Sequence, residues 1–145
     1  MNLEQAISIA SLAHEGQLDK AGEPYILHPL RVMMKLKDND LRIIAVLHDV
    51  IEDCGLTLDD LLSGYGVPFE LARIVDILSR KDNESYDEYI ERISKNYKAL
   101  KVKLADLEDN MDLSRIKNLT QKDYDRVAKY AKAREKLVNK LFNII

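Results

Sequence analysis

A single cysteine, Cys54, in 145 residues leaves no framework of internal disulfides and suits a reducing compartment. Tryptophan is absent, and glycine and proline number only 5 and 3. No repeat, low-complexity tract or long linker interrupts the chain. No apolar run approaches the ~20 residues that a membrane span needs. The N-terminus, MNLEQAISIASLAHEGQ, has Glu4 early and no basic residue ahead of its apolar positions, unlike a signal peptide. The expectation is a cytoplasmic protein. An excess of positive charge is missing too. The formal net charge is -3, with lysine and arginine spread along the chain, which speaks against nucleic-acid or membrane partners.

What is present is the composition of a soluble globular protein, 46% hydrophobic and 32% charged. A chain of this length is expected to form one domain, 1–145, burying roughly 70% of the surface that its unfolded form exposes. Nearly every segment reads at helical period, which predicts an all-α, compact multi-helix bundle. Leu3, Ala6, Ile7, Ala10 and Ala13 mark a first helix over about 3–15. GQLDKAGEPY then reads as a loop, punctuated by Gly16, Gly22 and Pro24. Pro29 suits the first turn of a second helix, and Asn39 is a cap for a third over 40–53. Thr57 and Asp60 suit a cap, Pro68 the start of a helix reaching Leu78, and 86–94 a further helix. YKALKVKLADLEDNM reads as helix, although KVKL alternates as a short strand would. Residues 123–141 form a long basic closing helix, with Val127, Tyr130, Ala131, Leu137 and Leu141 inward.

Against this apolar background one stretch stands out. LHDVIED, 47–53, sets a histidine and three carboxylates among Leu47, Val50 and Ile51. A buried carboxylate must be hydrogen-bonded, paired or bound to a metal. At i, i+4 spacing His48 aligns with Glu52 and Asp49 with Asp53. His48 and Asp49 point about 100° apart on a helix, so both reach one ion only if other elements complete the shell. His28 and Asp106, the latter inside the apolar VKLADL, are the candidates. A shell of two imidazoles and two carboxylates suits Mn²⁺, Fe²⁺, Co²⁺ or Zn²⁺ better than Mg²⁺ or Ca²⁺. Each feature also has a bland reading: a His-Asp pair on a surface helix is common, and His28 could cap the next helix. His14 reads as a structural group at the end of the first helix.

Three motifs in order, AHEGQLDKAGEPYILHPLRV, IAVLHDVIED and VKLADLEDNM, carry a family resemblance over about residues 10–112. The sequence resembles the HD superfamily of metal-dependent phosphohydrolases. In particular it is similar to the hydrolase domain of stringent-response synthetase/hydrolases and to small alarmone hydrolases, which remove pyrophosphate from the 3′ position of guanosine tetra- and pentaphosphate. The resemblance implies an all-helical fold, Mn²⁺, and no organic cofactor. It implies His28, His48, Asp49 and Asp106 as metal ligands, and Glu52 and Asp53 as the acidic pair that activates or orients the attacking water. It also implies Asn110 near the bound nucleotide.

The chain departs from the family at the rim. Asp19-Lys20 replaces a basic pair, Leu107 an arginine, Asp109 a histidine, and Ser79-Arg80 a threonine and lysine. Candidate cations for a polyanionic substrate are Lys20, Arg80, Lys81 and Lys103, and Tyr25 is a candidate to pack against a base. The expected partner is a small-molecule nucleotide. A homo-oligomer is compatible with the sequence, which does not require one. Within 145 residues a synthetase domain beside the hydrolase is not expected. The alternatives are a metal-dependent phosphohydrolase of another nucleotide, such as a nucleoside monophosphate or a phosphorylated dinucleotide, and a non-catalytic metal-stabilised binding protein. Glu52 and Asp53 disfavour the last, because a pure binder has no use for them.

Overall fold

Each helix boundary has a local cause. In the computed structural model, which describes residues 1–144, α1 (Leu3–Ala13) starts in a capping box between Asn2 and Gln5. Next comes α2 (Leu27–Met34). Pro29 lies in its first turn, where its missing N–H costs no helical hydrogen bond. The helix begins two residues before Pro29, with Ile26 as its N-cap, so His28 is part of the helix and does not cap it. The Asp38 side chain, and not that of Asn39, caps α3 (Asn39–Leu47) by accepting from Leu41 N. Thr57 and Asp60 exchange the expected capping hydrogen bonds, but they open a π-helical turn, Asp60–Gly64.

The third helix does not run unbroken to residue 53. It stops at Leu47, and α4 (Val50–Cys54) begins after a turn at His48 and Asp49. Asp49 has φ -102° and ψ -1°, in the sparsely allowed bridge region where active-site residues often sit. Gly55, at φ 73°, ends α4, and Leu56 N donates back to Val50 O. This break resolves the divergence of adjacent helical side chains, because the turn reorients Asp49 relative to His48.

Of the later helices, α5 (Phe69–Ile77) comes directly after Pro68, and α6 (Tyr86–Ser94) opens in a capping box between Ser85 and Glu88. KVKL is helical within α7 (Tyr97–Asn110), and α8 (Gln121–Ile144) closes the bundle. On α8 the inward stripe differs from the expected one: Ala133 is buried and Ala131 exposed. An isolated bridge between Leu18 and Pro24 is the one β-type pairing among the described residues. No described helix is long and apolar enough to cross a membrane.

The core is built around α3, whose Ile43–Leu47 segment is wholly buried. It packs against α1, α2, α5 and α7, while α7 also meets α6 and α8. Residues from α2, the α3–α4 turn and α7 therefore approach one another at one end of this core. Leu107 on α7 is fully buried within the core. An arginine there would not reach the cleft, so Leu107→Arg places an unpaired charge among apolar side chains. We expect it to lower stability by about 3–5 kcal/mol, read as a fall in melting temperature, with no gain in kcat/KM.

Candidate metal centre

Three elements bring the motif residues together. From α2 comes His28, from the α3–α4 turn His48 and Asp49, and from α7 Asp106. His28, His48 and Asp49 each offer a ligand atom, all within 4.8 Å of one another. Asp106 Oδ1 lies 2.9 Å from His28 Nε2 and 3.3 Å from His48 Nε2. Asp49 Oδ2 is 3.6 Å and 3.1 Å from the same two nitrogens.

Hydrogen bonds on the far side of each ring decide which nitrogen faces the cluster. His48 Nδ1 lies 2.6 Å from the Ala45 carbonyl. A carbonyl only accepts, so Nδ1 carries a proton and Nε2 is the nitrogen that faces the centre, free to offer its lone pair to a cation once it loses its own proton. That nitrogen is buried and has no partner in hydrogen-bonding geometry, despite the two nearby carboxylates. A buried unsatisfied nitrogen costs about 1–3 kcal/mol. A divalent cation in reach of Nε2 and the carboxylates removes that cost, and the mixed nitrogen and oxygen donors suit a transition ion. The residues present fit such an ion.

The charges have been arranged so that the carboxylates stay ionised. Burial would raise the Asp106 carboxyl, but the Lys103 ammonium and His48 hold it well below the usual range. Burial opposes ionisation of Asp49 too, and His48 holds it down to about 2. Burial would lower both imidazoles; Asp49 and Asp106 raise His48 well above its ordinary value, and Asp106 and Asp109 raise His28. Lys103 is itself buried, with Nζ 2.7 Å from Asp106 Oδ2 and over the Tyr89 ring. Burial would lower this ammonium, and Asp106 raises it well above its ordinary value. It is a fixed charge behind Asp106 and not a mobile one at the rim.

A cavity of about 490 Å³ opens onto this centre. Glu52 and Asp53 line it, each with a carboxylate oxygen within 4.8 Å of the other's and of Asp49's. Glu52 Oε1 accepts from Arg80 N at 2.7 Å. Burial, then Asp49 and Glu52, push the Asp53 carboxyl up to about 6. Tyr25 donates its hydroxyl to Asp49 Oδ2 at 2.7 Å and lies 3.3 Å from Asp53 Oδ2. Burial and Asp49 hold that phenol far above its ordinary value, so it stays a donor. Asn110 Nδ2 donates to Asp106 Oδ1 at 3.0 Å.

Of the candidate substrate cations, Lys20 and Lys103 line the cavity, as do Tyr25 and Asn110, whereas Arg80 and Lys81 do not. Arg80 Nε donates to Glu84 O, and Lys81 Nζ to Asp76 O and Oδ1. His14 is buried at the end of α1 with Gln17 Oε1 2.8 Å from its Nδ1, outside the cavity lining. Three lining arginines escaped the sequence reading: Arg31, Arg115 and Arg126. Arg126 had a usable signal. It falls on the inward stripe of α8 with Tyr130, Ala133 and Leu137. Arg31 comes three residues after His28 on α2, which places both on one face. Arg115 sits in the loop after α7, where no periodicity points to it.

No protein-family model matches the chain. Among curated relatives, a guanosine-3′,5′-bis(diphosphate) 3′-pyrophosphohydrolase of Vibrio cholerae is 36% identical over 124 residues, 75% of this chain. The bifunctional (p)ppGpp synthase/hydrolase SpoT of Escherichia coli is 35% identical over 125 residues, again 75% of the chain. In both cases the match spans 17% of the longer relative. A solved structure, described as a metazoan ortholog of SpoT that hydrolyzes ppGpp, superposes with a TM-score of 0.75 at 24% identity. That likeness covers 93% of this chain and 84% of the other, and it concerns the fold. The bundle and its His/His/Asp cluster define an HD-superfamily metal-binding fold. The chain is related, more narrowly, to the (p)ppGpp hydrolase domains of SpoT-type proteins.

Asp53 gives a pH test of this electrostatic description. Its carboxyl is raised from 3.8 to about 6, so the ionised form destabilises the ion-free fold. Protonation relieves that penalty: relative stability is present below about 4 and is lost as pH rises through about 6. Asp53→Asn should therefore raise the melting temperature of the ion-free protein at pH 7.5, with the gain shrinking below pH 6. Solvent screening of this exposed side chain limits the effect to about 1 kcal/mol, or roughly 2–4 °C. Thermal melts of both proteins between pH 4.5 and 7.5 check it.

Proposed function

We propose that the chain is a Mn²⁺-dependent hydrolase that removes the 3′-pyrophosphate of guanosine 3′,5′-bis(diphosphate) and its pentaphosphate, small-molecule substrates of the cytoplasm. One observation carries the reading. A cluster fitted to a divalent transition ion shares a cavity with a carboxylate pair, Glu52 and Asp53, and with Lys20 at the mouth. The cavity volume lies within the ~300–1,000 Å³ of small-molecule sites. The names of the curated relatives supply the substrate.

His28, His48, Asp49 and Asp106 would hold the ion, with Asp106 closing the shell from α7. When bound, a divalent ion there acidifies water and polarises a phosphoryl oxygen. Asp53, in the same carboxylate cluster as Asp49 and one turn beyond it, would accept the proton of the attacking water. Glu52, anchored by Arg80 N, orients that water. The new bond joins water oxygen to the phosphorus attached at the ribose 3′ oxygen. The bond from that phosphorus to the 3′ oxygen breaks, and the leaving oxygen takes a proton from solvent. Tyr25 keeps Asp49 and Asp53 in register through its hydroxyl.

Substrate charge is met at the mouth by Lys20, with Lys129 nearby, while Arg126 lines the cavity with its guanidinium engaged by Asp123, Nη2 2.6 Å from Oδ1. Slight burial and then the positive charge of Arg126 lower the Lys20 ammonium, Asp123 opposes them, and Lys129 adds to the lowering. Arg31 and Arg115 line the same cavity, but Arg31 is paired with Asp109 and Arg115 with Asp112. With Leu107 buried, this mouth holds fewer uncommitted cations than the family pattern implies. That difference keeps a second substrate in view, another nucleotide phosphate such as a nucleoside monophosphate or a phosphorylated dinucleotide.

Two measurements test the roles. Asp49→Asn should abolish Mn²⁺ binding and turnover together. Asp53→Asn should keep bound Mn²⁺, measured by elemental analysis, while turnover falls about 10²–10⁴-fold. Pyrophosphate and orthophosphate release should be monitored separately on the alarmone, nucleoside monophosphates and nicotinamide dinucleotide phosphates. Orthophosphate from the latter two, with no pyrophosphate from the alarmone, replaces the first reading by the second.

A further inference from the structure

Asp109 is a carboxylate that the proposed chemistry does not use, yet it is almost fully buried, at 3% exposure. Its Oδ2 lies 2.7 Å from His28 Nδ1, on the side of the ring away from the cluster. Arg31 grips both of its oxygens, Nε to Oδ1 at 2.8 Å and Nη2 to Oδ2 at 3.1 Å. Arg115 adds a third cationic contact, with Nη2 3.6 Å from Oδ2 and 3.2 Å from the Asp109 carbonyl. The arrangement repeats an i, i+3 step on two helices. Asp106 and Asp109 lie on one face of α7, and His28 and Arg31 lie on one face of α2. The His28 ring sits between the two carboxylates, one at each nitrogen.

We infer that Asp109 is a positioning residue for the metal centre. It holds the His28 proton on Nδ1 and lends the ring its negative charge, so that Nε2 is a better donor to a divalent cation. The inference rests on the metal-centre reading above. An ionised carboxylate accepting from a histidine raises the ligand strength of the opposite nitrogen and fixes the ring's orientation. A neutral acceptor fixes the ring and adds no charge. The two-point arginine grip pairs the Asp109 anion and aims its Oδ2 at the His28 ring. Helix stapling needs only the Arg31 pair. It does not require the shortest contact of the group to fall on the His28 ring.

The test is Mn²⁺ affinity of the folded protein, titrated by the electron paramagnetic resonance signal of the free ion. It is run beside melting temperatures without and with Mn²⁺. Asp109→Asn keeps the shape and removes the charge; Asp109→His replaces the carboxylate by a ring whose nitrogen, when neutral, accepts without adding negative charge. Both should weaken Mn²⁺ binding by about 10–100-fold and shrink the Mn²⁺-induced rise in melting temperature. Arg31→Gln, which loosens the staple and leaves the carboxylate on His28, should weaken binding by less than either. Wild-type affinity in both folded Asp109 variants, with only the ion-free melting temperature lowered, makes Asp109 a staple and overturns the inference. A wild-type protein that binds no divalent ion overturns the metal-centre reading and this inference with it. Mn²⁺ bound by wild type and lost in Asp49→Asn separates the two failures.

Discussion

Asp106 is a carboxylate almost wholly withdrawn from water, on a helix where its neighbours Ala105 and Leu107 are buried with it. Everything around it answers that constraint. Lys103, three residues earlier, and Asn110, four later, lie on the same stripe of α7 and take one oxygen each. The remaining demand is met by His28 and His48, so α2 and the end of α3 must come close to α7. A buried ion pair is weak evidence for stability, because desolvation offsets most of its attraction. The stability that holds these groups together therefore comes from the apolar packing of Ile43–Leu47 and its partners, and the polar centre is a load on it. Sites that strain against the fold in this way are where chemistry is performed.

Charge is sorted by depth. Asp49, Asp106 and Asp109 lie deep, Glu52 and Asp53 flank the cavity, and Lys20 and Arg126 line the same opening. A polyanion is attracted by the outer cations and repelled by the inner carboxylates. A divalent ion among His28, His48 and Asp49 reverses that repulsion at short range. In the function proposed above, ion and substrate binding would be coupled by this layout, since each would neutralise part of what opposes the other. Arg31 and Arg115 show why counting cations near a cleft misleads. Both line the cavity, yet their charges are engaged by Asp109 and Asp112.

The helical nature of the chain and the identity of the central cluster were legible because both leave periodic traces. Apolar spacing gave α1, α6 and α7 to within a few residues, and the anomaly of charged groups inside apolar runs marked His48, Asp49 and Asp106. The break between α3 and α4 left no such trace. Leu47, Val50 and Ile51 keep helical spacing across it, and nothing in residue type reports that Asp49 sits at ψ -1°. Lys103 illustrates a second blindness. A lysine in an apolar stretch reads as a surface charge, and only its contact with Asp106 shows it buried. Asp109 was visible as a departure from a pattern, but its meaning lies in a contact with His28 across 81 positions.

The same long-range logic explains why the front loop matters to the acid pair. Tyr25 closes that loop with Tyr25 N donating to Gln17 O, and its hydroxyl reaches Asp49 and Asp53. Gln17 Nε2 donates to the Asp53 carbonyl at 3.2 Å. The loop that carries Lys20 is thus fastened at two points to the short helix that carries Glu52 and Asp53. Gly55 ends that helix within one residue of Cys54, so the acid pair stands on a single turn whose neighbours are the cluster on one side and the loop on the other. A five-residue helix has little stability of its own. Its geometry is set by Asp53 N donating to Asp49 O and by Tyr25, which makes the position of the Asp53 carboxylate depend on the same Asp49 that faces the histidine cluster.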